Sequence, residues 1–213
     1  MSLMKKIAVI DYGMSNLHSV LKSFQKVISK NYYLSIAHST KDIEDASILV
    51  LPGQGAANSC VEKLSSDFPD LKKHILNKPF LGICLGFQIL FEKSYENGGV
   101  NCFSLIDGDV KDFRGAIHKD MKVPHMGWNK VKQKYDHILW RSIPDESFFY
   151  FVHSYYAQAN IESSILSSTN YQVDFTTSIL KDNMLACQFH PEKSSKYGLQ
   201  LLSNFINWTE ELK

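Results

Sequence analysis

The chain has 213 residues, with 23 Lys and Arg against 22 Asp and Glu, and four cysteines. That length fits one domain, 1–213, with a sizeable core, and the balance of charge leaves no electrostatic case for nucleic acid or an anionic membrane surface as partner. Cys60, Cys84, Cys102 and Cys187 are widely spaced with no C-x-x-C pair, which speaks against a metal site or a disulfide framework.

Met1-Ser2-Leu3 reads as an appended stretch, with Met4 as the natural start. No signal-peptide core precedes the first apolar run and no run is long enough to span a bilayer, so a cytoplasmic, reduced protein is expected. Ile7-Ala8-Val9-Ile10 is a continuous apolar run of the kind a parallel strand shows when both faces are covered. It ends in Asp11-Tyr12-Gly13-Met14-Ser15-Asn16, a loop of turn formers, after which Leu17, Val20, Leu21, Phe24, Val27 and Ile28 fall on one helical stripe. A second strand covers Tyr32–Ala37. A third, Ile48–Leu51, stops at Pro52-Gly53-Gln54-Gly55-Ala56-Ala57-Asn58.

Pro79 then opens a fourth strand, Phe80-Leu81-Gly82-Ile83, which runs into Cys84-Leu85-Gly86-Phe87-Gln88. Phe87, Ile89, Leu90 and Phe91 follow at helical spacing. Strand, tight turn and helix around Gly-x-Cys-x-Gly is a nucleophile-elbow layout with cysteine in place of serine. The glycines are expected to permit the turn and leave room around the sulfur, and a thiol at a helix start feels the positive end of the dipole. The plain alternative is a buried apolar cysteine.

Beyond Gly99 helical periodicity fades. Short β-rich segments appear around Phe103–Val110, Phe148–Val152, Ser164–Ser168 and Val173–Leu180, followed by a buried-type strand, Leu185–Phe189. A last amphipathic helix carries Leu199, Leu202, Phe205, Ile206 and Trp208. The expected fold is α/β, an open, mostly parallel sheet with helices on both faces and added antiparallel strands. The loops after Ile10, Leu51 and Ile83 then share the rim where ligands collect.

A cysteine nucleophile needs a base, and the base an orienting group. His190 and Glu192 are two apart, so in an extended segment they point the same way, with Pro191 limiting the backbone between them. His153 is the runner-up base. His18, His38, His74, His118 and His137 sit in polar or helical contexts and read as surface residues. For the oxyanion of acyl chemistry, the elbow offers the Leu85 N–H, and the Pro52-Gly53-Gln54-Gly55 loop is the available source of a second donor; equally, its glycines could simply shape a βα turn.

Pro52-Gly53-x-Gly55, Gly82-Ile83-Cys84-Leu85-Gly86-Phe87-Gln88 and His190-Pro191-Glu192 resemble the three motifs of class I glutamine amidotransferases. Asp11-Tyr12-Gly13-x-x-Asn16-Leu17, Pro124-His125-Met126-Gly127-Trp128-Asn129, Tyr150-Phe151-Val152-His153-Ser154-Tyr155-Tyr156 and His190-Pro191-Glu192-Lys193-Ser194 narrow the resemblance to glutaminase subunits of imidazole glycerol phosphate synthase, in order along essentially the whole chain. The resemblance implies a flavodoxin-like sheet, no cofactor and no metal. It assigns Cys84 as nucleophile, His190 as acid/base and Glu192 as its orienter, and puts Gly53 and Leu85 in the oxyanion region. Gln88 and Glu96 would hold the polar end of glutamine, with Ser154 and Tyr155 lining the pocket through backbone groups. The implied partner is a (β/α)8-barrel cyclase in a heterodimer, with Trp128 and Lys193 as partner-facing candidates. Gln54 departs from the family, which usually has an apolar residue there, most often valine, and an aromatic near Ala57. That departure points to an amidotransferase acting on a nucleotide-linked surface sugar as an alternative acceptor partner. A cysteine hydrolase or a silent binding subunit would not be expected to carry all of these motifs.

Overall fold

The computed structural model describes residues 4–13 and 17–212; Met1, Ser2, Leu3, Met14, Ser15 and Asn16, on which sequence readings fell, lie outside the described residues. The first half alternates strand and helix: β1 (Lys5–Ile10), α1 (Leu17–Gln25), β2 (Tyr32–Ala37), α2 (Thr40–Glu44), β3 (Ile48–Gly53), α3 (Ala57–Asp67), α4 (Leu71–Asn77) and β4 (Phe80–Cys84). The strands pair in parallel in the order β2-β1-β3-β4. Successive residues of β1 point to opposite faces. Ile7 and Val9 pack with Val20 and Phe24 of α1, whereas Ala8 and Ile10 pack with Leu64 of α3 and Ile75 of α4. Both faces are covered, which is why β1 is apolar at every position from Ile7 on; each large side chain so buried contributes about 1.5–3 kcal/mol.

The second half is α5 (Leu85–Gln88), β5 (Lys93–Ser94), β6 (Val100–Asn101), β7 (Gly108–Asp112), β8 (His125–Gln133), β9 (Ser147–His153), β10 (Tyr155–Ala159), β11 (Ile165–Asn170), β12 (Asp174–Lys181), β13 (Met184–Cys187) and α6 (Ser195–Glu211). β13 returns beside β4 in parallel, with Ala186 opposite Gly82. From there the sheet turns mixed, in the order β12-β10-β7-β5-β6, with β11 joining β12 to β8 and β8 pairing β9. The architecture is the α/β one read from the sequence: a mixed sheet with a parallel core, helices on both faces, and antiparallel additions. No helix among the described residues is long and apolar enough to cross a membrane.

Three local expectations change. The helical stripe toward Ile28 stops at Gln25, where the bonding tightens to Lys26 N–H donating to the Ser23 carbonyl and Val27 N–H to that of Phe24. Val27 and Ile28 still pack on the core from the turn beyond. The elbow helix is a single turn, because the carbonyls of Ile89, Leu90 and Phe91 accept from the N–H groups of Phe103, Leu105 and Ser104 instead of extending it. For the same reason the segment expected as a strand from Phe103 becomes one only at Gly108. β8 and β10 have no counterpart in the sequence reading. β8 alternates in burial, but its exposed face carries Met126 and Trp128, so its sequence lacks the apolar–polar alternation that marks a half-buried strand.

Candidate active site

The carboxyl ends of β1, β3, β4 and β13 meet at one rim, where Cys84 ends β4 and opens α5 with φ 55° and ψ −104°. A non-glycine residue held there stores roughly 1–3 kcal/mol of backbone strain. The turn therefore falls on the cysteine itself, not on its flanking glycines as the sequence reading had it. Those glycines serve close approach: a Cβ at Gly86 would collide with the Leu51 carbonyl, and one at Gly82 with that of Gly86. Gly53 is likewise closed in, since a Cβ there would run into the Tyr12 hydroxyl and lie 3.1 Å from the Leu85 Cβ. Leu85 is the first residue of α5, so its N–H has no intrahelical acceptor.

His190 follows β13, and Nδ1 lies 2.7 Å from Glu192 Oε1. Both side chains are buried, 7% and 3% exposed. The pair is not set by an extended segment, as expected, but by a turn of 3-10 helix over Pro191–Lys193 with proline at its first position, where its missing N–H is no loss. His190 N–H donates to the Tyr150 carbonyl at 2.9 Å, and Ser194 Oγ donates to the His190 carbonyl at 2.6 Å while accepting from Tyr150 N–H. The backbone of His190 is thus clamped to β9, and Glu192 holds the ring. Its Nε2 is buried and has no hydrogen-bond partner among the described residues. Burial opposes the charged ring, but the neighbouring Cys84 and Glu192 outweigh it and raise the His190 pKa above the ordinary histidine range.

Between these groups opens a cleft of about 450 Å³ whose wall includes Cys84, Leu85, Gln88, Glu96, Ser154, Tyr155 and His190. Gly53 lines a neighbouring small void together with Ile83, His190 and Glu192. Glu96 also serves a helix, since its Oε2 accepts from the Ala57 N–H at 2.6 Å and so caps α3, whose own cap residue, Ala56, has no side-chain acceptor. The Gln88 amide nitrogen is committed inward, donating to the Tyr155 carbonyl at 2.9 Å and to Gln188 Oε1 at 2.7 Å. Gln54 is exposed at the cleft edge.

Trp128 and Lys193 lie outside the cleft but join one patch through Tyr150, whose ring meets Trp128 edge-on at 6.0 Å and lies 6.0 Å below Lys193 Nζ. His153 lines the cleft, yet both its nitrogens are engaged, with His125 and with the Tyr155 carbonyl. His18, His38 and His118 are exposed; His74 and His137 are half-buried, and His137 Nδ1 accepts from Leu139 N–H.

Sequence reasoning missed Gln188 and Arg114. Gln188 is fully buried, and its Nε2 donates to Cys84 Sγ at 3.6 Å; an amide inside the apolar run Leu185–Phe189 was the available signal. Arg114, on the cleft wall beside Asp112, had none, because nothing local ties it to the elbow.

The family model for class I glutamine amidotransferases matches residues 8–208. The chain is 43% identical over 206 residues to an imidazole glycerol phosphate synthase subunit HisH of Hydrogenovibrio crunogenus, covering 96% of this chain and 97% of that one. It is 44% identical over 211 residues to the subunit HisH 1 of Pseudomonas aeruginosa, covering 97% and 98%. Among solved structures it resembles a putative GMP synthase protein from Thermoplasma acidophilum (TM-score 0.70, 21% identity, 98% of this chain and 95% of that one). It also resembles a glutamine amidotransferase from Thermotoga maritima (TM-score 0.61, 17% identity, 98% and 85%). With a family model over almost its whole length and relatives above two-fifths identity end to end, this chain belongs to the class I glutamine amidotransferases, in the family of the HisH subunits of imidazole glycerol phosphate synthase.

Proposed function

We propose that this chain is the glutaminase subunit of an imidazole glycerol phosphate synthase, hydrolysing glutamine to glutamate and ammonia for histidine biosynthesis and passing the ammonia to a (β/α)8-barrel cyclase. In this reading Cys84 Sγ attacks the side-chain amide carbon of glutamine and its proton goes to His190 Nε2. The tetrahedral oxyanion is met by the Leu85 N–H and by an N–H of the Gly53 region. The C–N bond breaks as His190 returns the proton to the departing nitrogen, which leaves as ammonia, and a thioester remains on Cys84. Water then adds with His190 as base, and glutamate is released with the thiol restored.

At the other end of the substrate, Glu96 and the free Oε1 of Gln88 suit the α-ammonium, both being acceptors. The α-carboxylate falls to the backbone of Ser154 and Tyr155 and to Arg114, a guanidinium on the cleft wall. The exposed Trp128, with Tyr150 and Lys193, is the surface offered to the cyclase, an aromatic anchor of the kind that dominates interfaces.

The observation that carries the reading is the buried His190, held by Glu192 opposite a strained cysteine, its Nε2 without a hydrogen-bond partner among the described residues. The test is glutamate release from glutamine, alone and with the cyclase, together with labelling by a glutamine analogue bearing an electrophilic carbon. Cys84 should be the labelled cysteine, and Cys84→Ala should abolish both turnover and labelling while keeping the circular dichroism of the wild type. Labelling at Cys60, Cys102 or Cys187 would overturn the assignment.

A further inference from the structure

From the cleft wall inward runs a polar chain whose two histidines the proposed chemistry does not use. His125 on β8 and His153 on β9 are paired in register and buried. His125 Nδ1 lies 2.9 Å from His153 Nε2, and His153 Nδ1 lies 2.7 Å from the Tyr155 carbonyl oxygen. Asn129 Nδ2 lies 3.2 Å from His125 Nε2. For two neutral rings, the neighbours decide which nitrogens carry hydrogen. A carbonyl only accepts, so His153 Nδ1 must donate to Tyr155 and His153 Nε2 must accept. At the other end, Asn129 Oδ1 accepts from Lys130 N–H at 2.8 Å and Nδ2 donates to the Asn170 carbonyl at 3.0 Å. That fixes the amide with its nitrogen toward His125 Nε2, so His125 Nε2 accepts and Nδ1 donates to His153. The two ends impose the same direction on the chain. Burial pushes both histidines below their ordinary pKa range, in keeping with neutral rings.

The chain does not stop at Tyr155. The same carbonyl accepts from Gln88 Nε2, Gln88 Nε2 also donates to Gln188 Oε1, and Gln188 Nε2 donates to Cys84 Sγ. We propose that His125 and His153 are positioning residues. Their directed hydrogen-bond chain, begun by Asn129, holds the Tyr155 carbonyl and through it the Gln88 and Gln188 amides that set the Cys84 sulfur and the wall for the polar end of the substrate. What is being positioned rests on the glutaminase reading; the direction of the chain does not. The competing view is that the pair is only a satisfied polar spot in the core, worth stability and nothing else.

An isosteric change separates the two. Asn129→Asp keeps the shape of the side chain but offers only acceptors. His125 Nε2 must then carry hydrogen, its Nδ1 must accept and His153 Nε2 must donate, which leaves His153 Nδ1 facing the Tyr155 carbonyl with a lone pair unless a ring protonates. Asn129→Ala loses the same bonds without reversing the chain. Nitrogen-15 NMR of the imidazoles in the wild type should show both rings neutral with hydrogen on Nδ1. In Asn129→Asp at least one ring should change tautomer or gain a proton. With the cyclase bound at saturation, kcat of Asn129→Asp for glutamine should fall about tenfold below that of Asn129→Ala, within the range that misplacing a reacting group costs. A second variant covers misfolding of the first: His125→Phe keeps the stack on Phe151 and Tyr171, at 4.8 and 4.1 Å between ring centres, and should show a similar loss in kcat. Hydrogen on Nε2 of either wild-type ring would overturn the proposal, as would equal kcat in the aspartate and alanine variants or an undiminished His125→Phe. If the wild type turns over no glutamine even with the cyclase, the functional reading fails, and the tautomers still decide the direction of the chain.

Discussion

At Cys84 one residue carries both the strain of the turn and the reactive sulfur, and the residues around it are small where backbone must pass close by. Gly53 is the sharpest case, because the Tyr12 hydroxyl occupies the space that any Cβ there would need. Gly53→Ala should therefore push the β3 end away from Leu85 and lower glutamine turnover about a hundredfold, the scale of one lost oxyanion donor. Tyr12→Phe removes the colliding oxygen, so the double variant Gly53→Ala/Tyr12→Phe should recover part of the loss. Steady-state kinetics with the cyclase present checks this. A double variant no better than Gly53→Ala would show that the collision is not what matters. Tyr12 itself is buried, and its hydroxyl has no hydrogen-bond partner within normal geometry among the described residues.

Among the elements, α2 shows how a short helix is held without a side-chain cap of its own. Lys78, on the approach to β4, reaches across and donates to the carbonyls of Ile43, Glu44 and Ala46 at 2.8, 2.5 and 2.9 Å. A cation at a helix C-terminus satisfies orphan carbonyls and meets the negative end of the dipole. Lys78→Met should lower stability by about 1–2 kcal/mol in urea unfolding, leaving glutamine turnover unchanged, since α2 lies away from the cleft. An unchanged urea midpoint would show that water replaces the lysine at no cost. Glu96 is a related case in which one carboxylate both caps α3 and faces the cleft. The site and the helix that follows β3 are therefore mechanically joined.

For the whole molecule, the buried histidines set a pH response whose sign can be worked out. Burial lowers the folded-state pKa of His125 to about 4 and that of His153 further, whereas an unfolded histidine takes up its proton near about 6.5. Between those values the unfolded chain binds more protons, so stability falls as pH falls through this window. His190 acts in the opposite sense. Its folded pKa is raised, so its contribution is complete below the unfolded value and is lost only as pH rises through the folded one. Hydrogen bonds hold the carboxyls of Asp42, Asp45 and Asp67 below their ordinary range, and these groups release stability only at more acid pH. The unfolding free energy from urea titrations should accordingly drop between about pH 6 and about pH 4.5, by roughly 3–4 kcal/mol. A flat or rising midpoint over that interval would mean that the two rings are not held neutral.

The sequence by itself was enough for the α/β class, the parallel core strands and the elbow, because each rests on local signals: continuous apolar runs, a proline at a strand start, glycines two residues either side of a cysteine. Tertiary structure alone decided what those signals were for. The glycines at the elbow answer to backbone brought from β3 and from the next turn. The helix after Cys84 stops at one turn because residues 103–106 take its carbonyls. Gln88 faces Gln188 from a hundred residues away, and the tautomers of His125 and His153 are set by Asn129 at one end and Tyr155 at the other. Hydrogen bonds between distant side chains leave no period and no motif in a sequence. They exist only once packing has brought donor and acceptor within about 3 Å of each other and removed the water that would otherwise serve both.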